Sequence, residues 1–420
     1  MWSHYGFVLV VVVLANFGVP FYAGGANVTQ SDRDGKLLSL FNVVRFQNSE
    51  CEATSSRKGI CYTEAECSSR QGSASGSCAN GFGVCCLFSL NCGGTSSESC
   101  AYLVQSGSNI PSPCTYTICK SHPSICRIKF DFMAFTINGP IEGTVVSLGA
   151  VVSSNAGAIG DCTRDTFSIT APENFSPPVI CGYNTGQHMI VDASDACHTA
   201  NFVMSGTGTR SWDIKVTQYK CGDEMGGDSG CLQWFTGETG TFASFNFPTT
   251  TAALPPTTTH LSNQLYSMCW RQEVGTCGIC WEVVNTGQDT ESFGLSTGRL
   301  KLPHGDTDGR CIDDYLLIPD AVTDAANSAM DTFTIGSTAT DIHLSDRVCG
   351  RFFSSAKSIN DRKASLPICS QRRPFRMTFV TDGDEIVMPV SNPIKAGEAE
   401  TTRFPGGIVG FHLKWTLQPC

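Results

Sequence analysis

The sequence predicts an all-β protein built from antiparallel sandwiches, and three features support that fold class. Charged residues make up only 16% of the 420 residues, and 42 residues are glycine, whereas long helices need exposed faces rich in Glu, Lys and Ala. Apolar residues alternate along short runs that end at Gly, Pro, Asp or Ser, which is typical of half-buried strands. The 23 cysteines indicate a chain crosslinked by disulfides. At this length two or three domains are expected.

The N-terminus has the pattern of a signal peptide, which we place at residues 1–26. An apolar run from Gly6 to Ala15 is followed by small residues between Ala23 and Ala26, and the run is too short to span a bilayer comfortably. Residues 27–50 are a lead-in segment. No later run approaches the roughly 20 apolar residues of a membrane helix. We therefore expect a secreted, extracellular protein without membrane insertion.

The cysteines are expected to form structural disulfides. All 23 follow the proposed signal peptide, so they enter an oxidising compartment together. Their odd number leaves one cysteine over. That cysteine must stay free, carry a cap or form an intermolecular disulfide with another molecule.

A small disulfide-rich module is expected at residues 51–91. So short a segment cannot fold on apolar burial alone, and three bridges would stabilise it. A zinc site is disfavoured because there is no histidine among the candidate ligands. The cysteine spacing, which ends in adjacent Cys85 and Cys86, resembles the arthropod clip domain. That resemblance implies the bridges Cys51–Cys85, Cys61–Cys78 and Cys67–Cys86.

The strand pattern is clearest in the last third of the chain. A Cys-x-x-Asp-Tyr segment begins at Cys311, and a Cys-Gly turn follows at Cys349. A Phe-x-x-Asp strand end lies at Phe379–Asp382, and a closing strand begins at Gly410. This order resembles the second half of a CUB domain. The resemblance implies a CUB-like domain at residues 231–420.

The same order of motifs occurs upstream, which predicts a first, divergent CUB-like domain at residues 92–230. Cys162 and Asp165 repeat the Cys-x-x-Asp spacing, and Cys181 precedes a glycine as Cys349 does. The resemblance implies the bridges Cys162–Cys181 and Cys311–Cys349. The predicted fold class is therefore all-β, with two CUB-like antiparallel β-sandwich (jelly-roll) domains preceded by the small disulfide-rich module.

Two segments of the second domain carry further expectations. Thr249–Thr259 is rich in Thr and Pro and is expected to be a solvent-exposed loop. The Cys-Trp-rich segment Tyr266–Trp281 resembles secreted arthropod proteins that carry CUB domains.

Many CUB domains bind calcium through three carboxylates. The resemblance assigns this role to Asp306, Asp314 and Asp382. Hard cations favour such oxygen ligands, and calcium would offset the repulsion between like charges. The first domain retains only Asp165, with Gly157 and Ser205 at the other two places, so we expect no calcium there. In the second domain the alternative of ordinary turn chemistry stays open, and accepting hydrogen bonds from backbone N–H groups is the commoner role of such aspartates.

Gly226–Cys231 resembles the surroundings of the nucleophilic serine in trypsin-like hydrolases. Catalysis there would need Ser229 beside a histidine that a buried aspartate orients, together with an oxyanion hole. Cys231 replaces the last glycine of that motif, and His198 follows Cys197 where the family has the reverse order. We therefore expect no enzyme activity and interpret the segment as a Gly-rich turn between two domains.

Charge and sequons narrow the function further. The net charge of −10 argues against a nucleic-acid partner, because phosphate binding needs clustered Lys and Arg. Asn27 and Asn174 lie in glycosylation sequons. We expect a secreted, non-catalytic protein that binds an extracellular protein or glycan through CUB-type recognition, with calcium as a candidate cofactor. The clip-like module supports the alternative of a non-catalytic regulator or cofactor of a clip-type serine protease cascade in immunity or development.

Overall fold

The computed structural model describes residues 10–12, 42–106, 110–145, 151–153, 157–250, 254, 258–284, 292–295, 311, 313–322, 346–350, 353, 365–383 and 408–420. The chain divides into two compact units, residues 1–88 and residues 89–420. Strands dominate both units, which confirms the all-β prediction. Among the described residues, no helix is long and apolar enough to span a membrane.

The first unit contains one four-stranded antiparallel sheet. Its elements are β1 Val10–Val12, β2 Asn42–Val44, β3 Glu50–Glu52, β4 Lys58–Tyr62, α1 Glu64–Ser69, β5 Ser73–Cys78 and β6 Gly83–Leu87. The sheet order is β3-β4-β6-β5, and β1 pairs separately with β2. Helix α1 begins at Thr63, whose Oγ1 accepts a hydrogen bond from Glu66 N at 3.2 Å. Disulfides join Cys51 to Cys85, Cys61 to Cys78 and Cys67 to Cys86, so crosslinks rather than a large apolar core stabilise this module.

The second unit begins with a sandwich of two sheets. Its strands are β7 Ser89–Leu90, β8 Thr95–Ser96, β9 Cys100–Ser106, β10 Cys114–Ile118, β11 Ile125–Thr136, β12 Gly143–Val145, β13 Val151–Ser153, β14 Asp165–Ile169, β15 His188–Asp192, β16 His198–Met204 and β17 Ser211–Lys220. One sheet has the order β14-β16-β10-β8 and the other β15-β11-β17-β9-β7, while β12 and β13 form a separate pair. Alternate residues of β17 are buried, as expected for a strand with one face on a core. Trp212 stacks on Phe202 at 3.8 Å and donates from Nε1 to Tyr116 Oη at 3.0 Å.

A second sandwich follows. Its strands are β18 Gln233–Phe235, β19 Thr239–Ala243, β20 Leu265–Trp270, β21 Thr276–Val283, β22 Phe293–Gly294, β23 Tyr315–Leu317, β24 Arg347–Val348, β25 Ile368–Ser370, β26 Phe375–Val380 and β27 Gly410–Pro419. The sheets have the orders β18-β20-β26-β23-β24 and β19-β27-β21-β25, with β22 paired to β27. Trp270, Trp281 and Trp415 pack together at its centre and bury large apolar surfaces.

The two sandwiches contact each other through buried polar groups. Trp234 N, in β18, donates to His188 Nε2 at 2.9 Å. Gln187 Nε2 donates to Ser244 O at 2.9 Å. Because such groups are costly to bury without partners, these bonds fix how the sandwiches pack.

Asn246 is a second link between the sandwiches. Its backbone N donates to Asn184 Oδ1 at 2.9 Å, and its Oδ1 accepts from Tyr183 N at 3.2 Å. Gly182 has φ of +77°, and a Cβ at this residue would lie 1.8 Å from Asn246 Oδ1. Glycine at residue 182 therefore allows both the left-handed turn and the close approach of Asn246.

The Thr/Pro-rich segment differs from the sequence expectation. Leu254, Thr258 and Thr259 are buried, and Thr259 O accepts a hydrogen bond from Asn246 Nδ2 at 2.8 Å. The prediction of a solvent-exposed loop is wrong for these residues. They are buried because the segment lies against the contact between the two sandwiches, which local composition does not reveal.

Candidate functional site

Asp314 is a buried carboxylate in the second sandwich. It precedes β23, three residues after Cys311, which a disulfide joins to Cys349. Its side chain is 2% exposed, and its Oδ1 accepts a hydrogen bond from Asp382 N at 3.0 Å. The strand pairing of Tyr315 with Val380 thus brings two of the three aspartates assigned to calcium to one end of a sheet.

Asp313 adds a further carboxylate to this end of the sheet. Its pKa is raised first by partial desolvation and then by the negative charge of Asp382. Asp306, the third predicted ligand, lies outside the described residues. Among the described residues, no group of three or more His, Cys, Asp or Glu side chains has metal-binding geometry.

Asp165 is the counterpart of Asp314 in the first sandwich. It lies three residues after Cys162, which is bridged to Cys181, and its side chain is fully buried. Its Oδ1 accepts from Ser205 N at 3.3 Å. Ser205 therefore makes the backbone contact with Asp165 that Asp382 makes with Asp314, so the duplication predicted from the sequence extends to the local geometry.

In the first sandwich the buried carboxylate of Asp165 is paired with the guanidinium of Arg210. Its Nε donates to Asp165 Oδ2 at 2.7 Å and its Nη2 donates to Asp165 Oδ1 at 2.8 Å. Burial alone would raise the pKa of Asp165, but hydrogen bonds from Arg210, Asn138 and Ser205 outweigh burial and lower that pKa. The carboxylate is thus held ionised by a cation from its own chain.

Asp313, Asp314 and Asp382 carry carboxylate oxygens, the ligand type that hard divalent cations prefer, but as placed these three side chains do not themselves form a metal-binding group. A cation would also relieve the repulsion between Asp313 and Asp382. In the first sandwich the guanidinium of Arg210 engages both oxygens of Asp165.

Ser229 lies between the two sandwiches. Its Oγ donates to Asp192 Oδ2 at 2.9 Å, and the other Asp192 oxygen pairs with Arg127. His198 is engaged elsewhere, because its Nε2 accepts from Ser194 N at 3.0 Å. The hydroxyl of Ser229 thus contacts a carboxylate that is paired with a guanidinium, not an imidazole of the kind that activates a nucleophilic serine.

The described residues include all 23 cysteines, and eleven disulfides join 22 of them. The bridges implied by the sequence resemblances, in the small module and in both sandwiches, are among these eleven. The remaining cysteine is Cys100 in β9, which is 3% exposed. Because Cys100 is buried, this fold does not present its thiol to another molecule.

The two sequons differ in what the structure describes. Asn174 is exposed in the loop that follows β14, and its Nδ2 donates to Pro172 O at 3.2 Å. Asn27 lies outside the described residues.

Sequence reasoning missed Arg210 and the Arg127–Asp192 pair. Arg127 is 5% exposed, and its Nη2 donates to Cys231 O at 2.6 Å. The available signal was a basic residue on a core-facing strand, since buried arginines require partners. The pattern does not show which carboxylate or carbonyl is the partner.

Comparison with known proteins identifies one domain. The family model described as "Animal CUB domain" matches residues 228–418, which include both sheets of the second sandwich. None of the curated proteins compared with the chain is significantly similar to it in sequence.

Several solved structures have also been compared with the chain. The CUB1-EGF-CUB2 domains of rat MASP-1 have 13% identity and a TM-score of 0.22, over 78% of this chain and 99% of that one. The CUB1-EGF-CUB2 domain of human MASP-1/3 has 14% identity and a TM-score of 0.21, over 76% and 100%. The MASP-1 CUB2 domain bound to Ca2+ has 16% identity and a TM-score of 0.21, over 30% and 98%. At these TM-scores the likeness adds nothing to what the sheets of this chain show.

Proposed function

We propose that this chain, which contains an animal CUB domain, is a secreted, non-catalytic protein that binds an extracellular partner, with a calcium site in its second sandwich. One observation carries the proposal: the buried carboxylate of Asp314 accepts a hydrogen bond from the backbone N of Asp382, so two of the three assigned aspartates lie at one end of a sheet. Carboxylates gathered at one end of a sheet favour a bound cation.

Asp314 and Asp382 would hold the ion, with Asp306 as the third carboxylate. Calcium would supply positive charge where the first sandwich has Arg210. The disulfide Cys311–Cys349 restrains the segment before Asp314, so the loops at this end of the sandwich would present a defined surface to a protein or glycan partner.

Secretion and glycosylation are part of the same proposal. Eleven disulfides favour an oxidising, extracellular location. Exposure of Asn174 favours its modification, and Asn27 would be the second glycan site.

A capture experiment tests the binding function. The intact protein and Asp314→Asn serve as baits for extracellular proteins, each with calcium or with a chelator. We expect one partner set that is retained by the wild type in calcium and lost both with chelator and with Asp314→Asn. If no captured protein is lost with chelator and with Asp314→Asn, the calcium-dependent proposal is rejected.

A second candidate function rests on the small module. Its three bridges follow the pattern implied by the clip-domain resemblance, which favours a non-catalytic regulator of a clip-type protease cascade. Deletion of residues 27–88 distinguishes the two functions. Selective loss of serine proteases or their homologues supports the regulator, whereas unchanged capture supports recognition by the CUB-like sandwiches.

Absence of catalysis is tested at Ser229. We expect no labelling of the purified protein by a fluorophosphonate, because the Ser229 hydroxyl donates to Asp192. Specific modification of Ser229 would establish an activated serine and overturn this part of the proposal.

A further inference from the structure

A groove of about 720 Å³ lies between the two sandwiches, away from the aspartates assigned to calcium. One wall is a loop of the first sandwich, residues 173–179. The other wall is the outward face of strands β20 and β26 in the second sandwich. The side chains that define the groove are Phe175, Pro177, Ser229, Leu265, Ser267 and Arg376.

Both walls expose large apolar side chains. Phe175 is 101% exposed and Leu265 is 70% exposed. Leu265 belongs to β20, whose neighbour Tyr266 is buried in the core. Exposed apolar side chains facing a groove are a common feature of protein-binding surfaces.

Two arginines line the groove, and one is already neutralised. Arg127 forms an ion pair with Asp192, which also accepts from Ser229 Oγ. Arg127 is further bonded to Gly226 O at 3.1 Å. The hydrogen bonds and the charge of Arg127 are therefore satisfied within the protein, so this arginine is not available to pair with a ligand.

Arg376 is the second arginine of the groove. Among the described residues no carboxylate pairs with it, and its buried Nε has no hydrogen-bond acceptor. Its Nη2 has only a weak contact, with Cys231 Sγ at 3.9 Å. The guanidinium of Arg376 is only partly buried and lines the groove, so it is placed to pair with a ligand carboxylate.

The walls are held in place before any ligand binds. Gln264 Nε2, from the second sandwich, donates to Val179 O in the loop of the first at 3.1 Å. Ile190 N donates to Leu232 O at 2.7 Å across the same junction. A preformed groove binds a ligand at a lower entropic cost than a flexible one.

We propose that this groove binds an extended peptide segment of a partner protein, in which an Asp or Glu stands next to a large apolar residue. Arg376 pairs with the carboxylate through its planar guanidinium. Phe175 and Leu265 bury the neighbouring apolar side chain. Asp192 also lines the groove, but Arg127 already neutralises its charge. The surface is separate from the aspartates of the second sandwich, so binding does not need calcium.

A random peptide-display library, selected on the intact protein in the presence of a calcium chelator, tests the proposal. We expect enrichment of peptides with Asp or Glu adjacent to Leu, Phe or Tyr. For a synthetic consensus peptide, replacing its acid by the amide should weaken binding by about tenfold or more. Arg376→Gln should cause a similar loss, with no further loss when the amide peptide is used.

Two matched variants complete the test. Arg372→Gln changes an exposed arginine near the same strand, whose carboxylate partner is Asp320, and should leave binding unchanged. Phe175→Ser alters only an exposed side chain and should weaken binding without changing the thermal unfolding curve.

Three results would overturn the proposal. The first is a peptide selection that shows no enrichment of Asp or Glu. The second is equal peptide binding by the wild type and a folded Arg376→Gln variant. The third is peptide binding by Asn174→Gln alone, which would show that a glycan on Asn174 covers the groove. Because a chelator is present throughout, the peptide-binding result does not depend on whether the proposed calcium site of the second sandwich exists.

Discussion

Arg210 holds both carboxylate oxygens of Asp165, at 2.7 and 2.8 Å, at the place where the second sandwich has Asp314. Both aspartates lie three residues after a disulfide-bonded cysteine, and both accept a backbone N–H from the partner strand's end. Asp165 is thus paired with a cationic side chain of the same chain, whereas Asp314 has further carboxylates near it. This difference underlies the proposal that only the second sandwich takes an ion.

Replacing Arg210 should destabilise the first sandwich. Arg210→Met leaves the buried Asp165 charge without its cation, and loss of one partner of a buried pair costs about 3–5 kcal/mol. Denaturant unfolding of the intact protein measures the change. Arg164→Met is the matched control, because Arg164 is exposed and its Nη2 donates to the carbonyl of Thr207. Equal stability of the two variants would contradict a structural role for the pair.

Acid should weaken the junction between the sandwiches through His188. Burial first, and then the charge of Lys129, lower the pKa of His188 from 6.5 to about 3. The unfolded chain therefore takes up this proton before the folded chain does. Stability is complete above pH 6.5 and falls as the pH drops towards 3, by about 1.4 kcal/mol per pH unit for this group.

The measurement is thermal or denaturant unfolding across this pH range. His188→Gln should reduce the slope, whereas His122→Gln, which changes an exposed histidine, should leave it as in the wild type. An unchanged slope in His188→Gln would show that other groups control the acid response.

Gly182→Ala should disrupt the same junction by a steric route. Its Cβ would lie 1.8 Å from Asn246 Oδ1, whereas a Cβ at Gly186 would meet nothing within 4 Å. Both glycines have positive φ, so both alanine variants carry similar backbone strain of about 1 kcal/mol. Gly182→Ala should lose roughly a further 1–3 kcal/mol of unfolding free energy, because its Cβ displaces Asn246.

Limited proteolysis of the turn at residues 222–230, together with unfolding, measures this effect. We expect faster cleavage in Gly182→Ala than in Gly186→Ala. Equal cleavage rates and equal stabilities would mean that Asn246 does not hold the sandwiches together.

The fold class could be predicted because its signals are local. Alternating apolar residues in β17 and the Cys-x-x-Asp spacing before Asp165 and Asp314 lie within a few residues of each other. The partner of Asp165 could not be predicted, since Arg210 is 45 residues away in sequence and reaches it only through the pairing of β14 with β16. The burial of Thr259 likewise arises from packing between the sandwiches, not from its Thr/Pro-rich surroundings.

The candidate site was predictable only in part. Resemblance to a CUB domain assigned Asp314 and Asp382 to one site, and the structure brings these two residues together. Asp313 was not among the predicted ligands, although it lies next to Asp314 in sequence, because its interaction with Asp382 depends on the strand register. The groove at Arg376 has no motif at all, since its walls come from segments far apart in the chain.

Calorimetric titration of calcium into the intact protein tests the central claim most directly. We expect one calcium ion to bind per chain, and we expect Asp314→Asn to abolish that binding while Asp320→Asn, which changes an exposed acid of the same sandwich, retains it. No calcium binding by the wild type, or equal binding by the folded Asp314→Asn variant, would contradict the proposed site.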